Sequence, residues 1–94
     1  MTNIFLLGSS SGTGKYINEN YMNFIKNSKL YKFSSKKNKS FFLDLNSFTI
    51  PNRINFNKEC IFISLAPIWL FVPYLEFLLK KNIINKKYIL AIIA

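Results

Sequence analysis

The stretch that decides the fold spans residues 4–17 and reads Ile4-Phe5-Leu6-Leu7-Gly8-Ser9-Ser10-Ser11-Gly12-Thr13-Gly14-Lys15-Tyr16-Ile17. Its first four residues are apolar and predict a buried β-strand, and the amphipathic segment from Lys15 onward predicts a helix. Three glycines lie between them. Glycine permits a positive φ and lets other groups approach the bare backbone. This order of strand, bend and helix is typical of a unit that holds a phosphate at a helix N-terminus.

The rest of the chain alternates in the same way. We expect helices over residues 15–27 and from Pro73 to Lys81 or Asn82. The first helix has an apolar stripe made of Ile17, Tyr21, Phe24 and Ile25. Strands are predicted over residues 3–7, 30–33, 41–45, 60–65 and 88–93, and the fourth is expected to be covered on both faces. This pattern predicts an α/β fold, a mostly parallel sheet of about five strands with helices on both faces.

Length and composition indicate one small folded domain. The 94 residues are 50% hydrophobic and 17% aromatic, which is enough for a modest core. Cys60 lies in an apolar run and is expected to be a buried side chain in a reducing, cytoplasmic compartment. Met22 is also expected to lie in the core, and Trp69 is expected to pack against other side chains. Histidine is absent from the sequence, which removes the commonest general base.

A net charge of +9 is typical of proteins that bind nucleic acid, but the residue types that carry the charge argue against this function. Twelve of the thirteen basic residues are lysine, and the chain is also rich in Asn, Ile, Phe and Tyr. That combination is typical of AT-rich coding sequence. Scattered lysines usually form a solvated surface. We therefore expect no nucleic-acid partner.

The fifth predicted strand ends where the sequence ends, at Ala94. A parallel sheet needs cover on both faces, and a final apolar strand without a tail is unusual. We expect residues 1–94 to be one incomplete domain, truncated after its fifth strand. A missing C-terminal half or a homo-oligomer partner would then complete it.

Three segments resemble the short-chain dehydrogenase/reductase superfamily. The run from Gly8 to Gly14 resembles its G-x-x-x-G-x-G motif, and Asp44-Leu45 resembles its acidic-aliphatic pair. Residues 61–66, Ile-Phe-Ile-Ser-Leu-Ala, are similar to the fourth strand of its epimerase/dehydratase-like branch. The resemblance implies a Rossmann-like NAD(P)-binding domain, the N-terminal half of an NAD(P)-dependent oxidoreductase or epimerase.

The resemblance also implies which residues meet the cofactor. The pyrophosphate would approach the backbone at Gly8, Gly12 and Gly14, and Ser10, Ser11 and Thr13 would bond its oxygens. Ser34, Ser35 and Lys36 would face the adenosine ribose, Asp44 and Leu45 the adenine, and Ala66 the ribose nearer the nicotinamide.

Catalysis is not expected from this chain alone. No Tyr has a Lys four positions later, so the superfamily's Tyr-x-x-x-Lys pair is missing. The family's catalytic Ser would fall beyond Ala94, and Ala66-Pro67-Ile68 stands where many members have Asn-Ala-Gly.

The second strand predicts NADP in preference to NAD. An NAD-selective fold places Asp or Glu about 20 residues after the glycine motif, where it bonds the ribose hydroxyls. Here that region reads Ser34-Ser35-Lys36-Lys37. Hydroxyl and ammonium groups suit a 2′-phosphate, although a solvated lysine loop explains the same residues.

Two other interpretations use the same features. Gly12-Thr13-Gly14-Lys15 is part of a P-loop pattern, but Ser9 and Tyr16 replace its first glycine and its Mg²⁺-binding hydroxyl. Residues 60–79 form an apolar segment that a small membrane protein could use, interrupted by Pro67, Pro73 and Glu76. We prefer the nucleotide interpretation, because the three glycines have no role in a membrane span.

Overall fold

Parallel strands and two helices make up the part of the chain that the computed structural model describes, residues 2–8, 12–34, 41–42, 45–48, 50 and 54–94. The α/β class predicted from the alternating pattern is confirmed. The elements are β1 (Thr2–Leu7), α1 (Gly12–Phe24), β2 (Ser28–Ser34), β3 (Phe41–Phe42), β4 (Cys60–Ser64), α2 (Ile68–Lys80) and β5 (Ile89–Ile93). Short 3₁₀ turns cover Leu45–Ser47 and Lys86–Tyr88.

The sheet has the strand order β3-β2-β1-β4-β5, and every pair is parallel. Four strands are five to seven residues long, whereas β3 contributes only two. The described sheet therefore has four full strands and a two-residue edge segment, one full strand fewer than the expected five. Of the predicted strand over residues 41–45, Phe41 and Phe42 lie in β3, whereas Leu45 begins a 3₁₀ turn and is buried in the core. Residues 43 and 44 lie outside the described part of the chain.

The direction in which the strands are added reverses at the centre of this sheet. From β1 the chain crosses through α1 to β2 on one side, and from β4 it crosses through α2 to β5 on the other. Because such crossovers are right-handed, α1 and α2 lie on opposite faces of the sheet. Phe5 and Leu7 point to the α2 face, while Ile4 and Leu6 point to the other face and are fully buried there.

Aromatic side chains fill the core between the sheet and α2. The centroid of the Phe5 ring lies 5.0 to 6.1 Å from the centroids of four other aromatic rings. α2 contributes Phe71, Tyr74 and Leu78, which are almost completely buried. Burial of these large rings is the main stabilising contribution that a chain of this size can make. The four rings around Phe5 belong to Tyr31, Phe33, Phe56 and Phe62.

Helix α2 begins earlier than predicted. Pro73 was expected at its first turn, but the helix starts at Ile68 with Pro67 at the N-cap, and Pro73 lies inside it. Proline has no N–H, so the carbonyl of Trp69 has no helical donor at this point. The exposed position of Pro73 leaves that carbonyl near solvent. Burial of Phe71 and Tyr74 on the other side favours the continued helix over a break.

Three apolar side chains predicted to serve packing are instead exposed: Met22 by 58%, Phe24 by 69% and Trp69 by 74%. Phe24 is the last residue of α1, and Ile25, which follows it, takes the covered position. The expectation for Cys60 is confirmed, because its side chain is fully buried.

Cover on the two faces of β4 is unequal. Cys60, Phe62 and Ser64 are buried, whereas Ile61 and Ile63 on the α1 side are only partly so. The prediction that this strand is covered on both faces is therefore met fully on the α2 side and only partly on the α1 side. α1 leads to β2 and packs against that side of the sheet, so it leaves the β4–β5 side less protected.

Residues 60–79, the basis of the membrane interpretation, are divided between β4 and most of α2. Within the described ranges neither helix has the length and apolar character needed to cross a bilayer.

The aromatic core yields a stability prediction. Phe5→Ala removes the ring that joins four others, and we expect the free energy of unfolding to fall by about 3–5 kcal/mol. Phe24→Ala, the matched change at an exposed ring, should alter it by less than about 0.5 kcal/mol. Urea denaturation followed by circular dichroism measures both values. Equal effects at the two positions would contradict the described core.

Candidate functional site

The carboxyl ends of three strands meet at one edge of the sheet. The amide N of Gly8, just after β1, donates to the carbonyl oxygen of Phe33 in β2 at 3.0 Å. The amide N of Leu65, just after β4, donates to the carbonyl oxygen of Leu7 in β1 at 2.9 Å. These two bonds fix the ends of β2, β1 and β4 side by side, which places the predicted site on a rigid base.

Gly8 occupies a position that only glycine fits. Its φ is +81°, in the left-handed region that other residues avoid. A Cβ at this position would lie 3.2 Å from the amide N of Ala66 and 3.2 Å from the carbonyl carbon of Leu65. The glycine therefore allows the end of β1 to pack directly against the backbone that follows β4.

The other two glycines of the motif have different surroundings. Gly12 begins α1 and is exposed, and a Cβ there would have open space within 4 Å. Gly14 is the buried residue of α1. Gly8 thus provides a backbone bend with a positive φ, Gly12 an open backbone surface, and Gly14 lies on the covered side of the helix.

Helix α1 directs its N-terminus at this edge, because it follows β1 after a short bend. The first N–H groups of a helix have no partner within the helix and carry a partial positive charge. The first turn of α1 contains no acidic residue, and the ammonium of Lys15 is exposed beside it. The local field at this helix end favours an anion such as a phosphate.

Seven of the twelve predicted cofactor-binding residues fall within the described ranges. Gly8 lies directly beside Ala66. Ser34 is the last residue of the neighbouring strand β2, and only 2% of its surface is exposed. Leu45 packs in the hydrophobic core. Gly12, Thr13 and Gly14 form the first turn of α1, where Thr13 is exposed. Five predicted residues lie outside the described part: Ser10, Ser11, Ser35, Lys36 and Asp44.

Sequence reasoning missed an apolar patch beside Ala66. Leu65, Ile68, Trp69 and Val72 are 36%, 58%, 74% and 40% exposed, and they follow β4 at the same edge of the sheet. Of these four side chains, only Trp69 was considered in the sequence analysis, where it was assigned to packing. The signal that could have identified them is the early helix start at Pro67, which turns residues 68, 69 and 72 away from the core.

Besides the apolar patch, the sequence analysis did not identify Ser64. It is the last residue of β4, 95% buried by area, and its hydroxyl has no hydrogen-bond partner among the described residues. An unpaired buried hydroxyl costs about 1–3 kcal/mol. A polar residue at the end of the apolar run 60–65 was its only sequence signal.

A polar cavity of about 290 Å³ lies elsewhere. Asn57 and Lys87 in its lining precede β4 and β5 respectively, so the cavity belongs to the amino ends of the strands. It is therefore at the edge opposite Gly8 and is separate from the glycine motif.

Among the titratable groups of the described residues, the pKa values of Cys60 and Tyr74 are shifted, and both side chains are in the core. Burial raises the pKa of the Cys60 thiol from 9.0 to about 11 and that of the Tyr74 hydroxyl from 10.0 to about 12. Both groups are therefore protonated near neutral pH, and neither is poised as a nucleophile or a base.

The glycine geometry generates a matched prediction. Gly8→Ala should lower the free energy of unfolding by about 1–3 kcal/mol, because it combines a positive φ with a tight contact to the backbone of Leu65 and Ala66. Gly12→Ala should be neutral or slightly stabilising, because the position is helical and open. Thermal and urea unfolding of both variants test this. A Gly8→Ala variant as stable as Gly12→Ala would contradict the close approach to Ala66.

The buried thiol and phenol predict a pH dependence of stability. Between the usual pKa of 9.0 and the raised value of about 11, the folded chain keeps the Cys60 proton that the unfolded chain releases. The unfolded state is then favoured, so stability should fall as pH rises through this range, and Tyr74 should extend the fall to about pH 12. Cys60→Ala should flatten the profile between pH 9 and 11 in urea titrations. An unchanged slope would show that the thiol is accessible to solvent.

The chain matches no protein-family model, no curated protein and no solved structure. The case for a ligand at this edge therefore depends on the geometry of Gly8, the first turn of α1 and the reversal between β1 and β4.

Proposed function

We propose that the carboxyl edge of the sheet binds a dinucleotide, with the diphosphate near Gly8 and the N-terminus of α1. The observation that carries this proposal is the position of Gly8 at the reversal between β1 and β4. In open α/β sheets such a reversal leaves a crevice outside the carboxyl ends of the strands, and ligands bind in it. The chain would then serve as an NAD(P)-binding unit similar to the N-terminal part of short-chain dehydrogenases and epimerases.

Charge supports an anionic ligand at this position. The first turn of α1 has no acidic residue, an exposed Lys15 follows it, and a side chain at Gly12 would meet open space. Helix N-termini attract phosphates through their first N–H groups and through the helix dipole. The net charge of +9 adds a long-range attraction for a diphosphate.

The strand order gives the ligand a direction. Ser34 ends β2 on one side of Gly8, and Ala66 follows β4 on the other. An adenosine near β2 and a diphosphate over β1 bring the nicotinamide end past Ala66 to the apolar patch. The flat surface of Trp69 and its neighbours suits a planar ring there. Serines and lysines after β2, without a carboxylate, favour NADP over NAD.

The proposed role is binding without turnover by this chain alone. Reduction or epimerisation needs a proton donor in step with hydride transfer, and the sequence has neither histidine nor a Tyr-x-x-x-Lys pair. Cys60 and Tyr74 are held protonated in the core. Residues from a C-terminal half or a partner would supply the chemistry. A reducing cytoplasmic compartment suits both the free thiol and the cofactor.

Calorimetric titration of the purified chain tests this proposal. We expect NADP to bind at least tenfold more tightly than NAD. Gly12→Asp places a carboxylate in the open space before α1, so it should weaken NADP binding tenfold or more while the fold is retained. Asn18→Asp makes the same charge change at an exposed position further along α1 and serves as the matched control, with an expected change below about threefold.

Several results would contradict the proposal. Absence of binding by either dinucleotide at millimolar concentration would reject the site. Equal affinity for NAD and NADP would reject the assigned preference, and tighter binding of Mg²⁺–ATP than of both would favour the P-loop interpretation. Equal losses in Gly12→Asp and Asn18→Asp would mean that net charge alone drives the interaction.

A further inference from the structure

The hydroxyl of Ser64 is a buried polar group without a hydrogen-bond partner among the described residues. Ser64 is the last residue of β4, and only 5% of its surface is exposed. Ser28, the first residue of β2, is similarly buried, but its hydroxyl donates to the carbonyl oxygen of Ile25 at 2.6 Å. Native proteins pair most buried hydroxyl groups, so the unused donor of Ser64 requires an explanation.

The Ser64 side chain points toward the N-terminus of α2. Side chains alternate between the two faces of a strand, so Ser64 shares a face with Phe62. Helix α2 covers that face, because the ring centroids of Phe62 and Phe71 lie 6.2 Å apart. Three residues connect Ser64 to Ile68, where the helix begins and runs back along the strand. The turn that precedes Phe71 therefore lies over the residue that follows Phe62 on this face, which is Ser64.

The N-terminus of α2 also has unused donors. Pro67 at the N-cap provides no side-chain cap, and its carbonyl oxygen accepts from the amides of Leu70 and Phe71 at 2.9 and 3.1 Å. The amides of Ile68 and Trp69 have no hydrogen-bond partner among the described residues. The first turn contains no acidic residue. These free N–H groups carry the partial positive charge of the helix terminus.

We propose that Ser64 and the first turn of α2 form a subsite for one carboxylate of a small molecule that also has an apolar group. The Ser64 hydroxyl and the amides of Ile68 and Trp69 are three donors, and the two oxygens of a carboxylate can accept from all of them. The positive end of the helix favours an anionic acceptor over a neutral one. The exposed side chains of Ile68 and Val72 offer an apolar surface beside it.

Charge distinguishes this subsite from the N-terminus of α1. The exposed ammonium of Lys15 follows the first turn of α1 and suits a phosphate. Residues 60–79 contain no basic side chain, and their acidic residue after the start of α2 is Glu76, about 12 Å further along the helix axis. Removing a doubly charged group from water without a cation costs more than removing a single charge. A carboxylate is therefore the anion that fits the start of α2.

The Ser64 hydroxyl is enclosed, so a carboxylate oxygen reaches it only when the first turn of α2 moves outward. Ile68 and Trp69 are exposed and do not anchor that turn in the core. The new hydrogen bond to Ser64 offsets the cost of this movement. Trp69 is the single tryptophan of the sequence, so its fluorescence reports on the turn itself.

Titration of the purified chain with phenylacetate, followed by Trp69 emission and without any nucleotide, tests the subsite. We expect a saturable change at millimolar concentration. Phenylacetamide, which is the neutral equivalent, and acetate, which lacks the apolar ring, should each bind at least fivefold more weakly. In backbone amide NMR, phenylacetate should shift the signals of Ile68 and Trp69 most and leave the first turn of α1 unchanged.

Two buried serines provide matched variants. Ser64→Ala should weaken phenylacetate binding at least fivefold and leave the urea midpoint unchanged or higher, because it removes an unpaired hydroxyl. Ser28→Ala removes a paired hydroxyl at the opposite edge of the sheet, so it should lower the midpoint and leave the affinity for phenylacetate unchanged.

Several results would overturn the subsite. These are equal binding of phenylacetate and phenylacetamide, unchanged affinity in Ser64→Ala, or amide shifts centred on α1. A lowered urea midpoint in Ser64→Ala would also overturn it, since that result would mean that the hydroxyl bonds a buried water. The subsite does not depend on a dinucleotide, because Ser64 is not assigned to one. Failure of NADP to bind would therefore leave the carboxylate subsite standing, and failure of phenylacetate would leave the dinucleotide proposal standing.

Discussion

The contact between Gly8 and the backbone of Leu65 and Ala66 is the constraint on which the rest of the structure depends. β1 and β4 are adjacent in the sheet although more than fifty residues separate them in sequence. A parallel pair so distant in the chain must be held by close fit, because its formation orders a long segment first. The missing side chain of Gly8 permits that fit at one end, and the packing of Phe5 against Phe62 provides it in the middle. Both the crevice and the order of the sheet follow from this pairing.

The same contact gives the glycine motif a structural meaning as well as a functional one. Gly8 is required by packing whether or not a ligand binds, whereas Gly12 is unconstrained by its neighbours. Packing alone explains why residue 8 is glycine, but it does not explain why residue 12 is glycine. Gly12 is therefore the better indicator that a ligand approaches the backbone. The open backbone at the start of α1 is therefore the more specific part of the motif.

The alternation of apolar and polar segments made the α/β class, four strands and the first helix predictable, because burial of a strand or helix face depends on local periodicity. The start of α2 was not predictable in this way, since Pro67 and Pro73 are equivalent signals. Their roles differ through tertiary burial of Phe71 and Tyr74. The contact of Gly8 with Ala66 and the exposure of Trp69 also depend on neighbours distant in sequence. For the site, the glycines were recognisable from spacing, but the apolar patch required the fold.

The burial of Cys60 has a consequence for how this chain responds to oxidants. The thiol sits at the first residue of β4 and is fully buried in the core between the sheet and α2. A reagent can modify it only after this core opens locally. The rate of thiol labelling therefore measures local opening of the core on that face of the sheet. Covalent dimers that accumulate in ageing samples would mark molecules whose core has already opened.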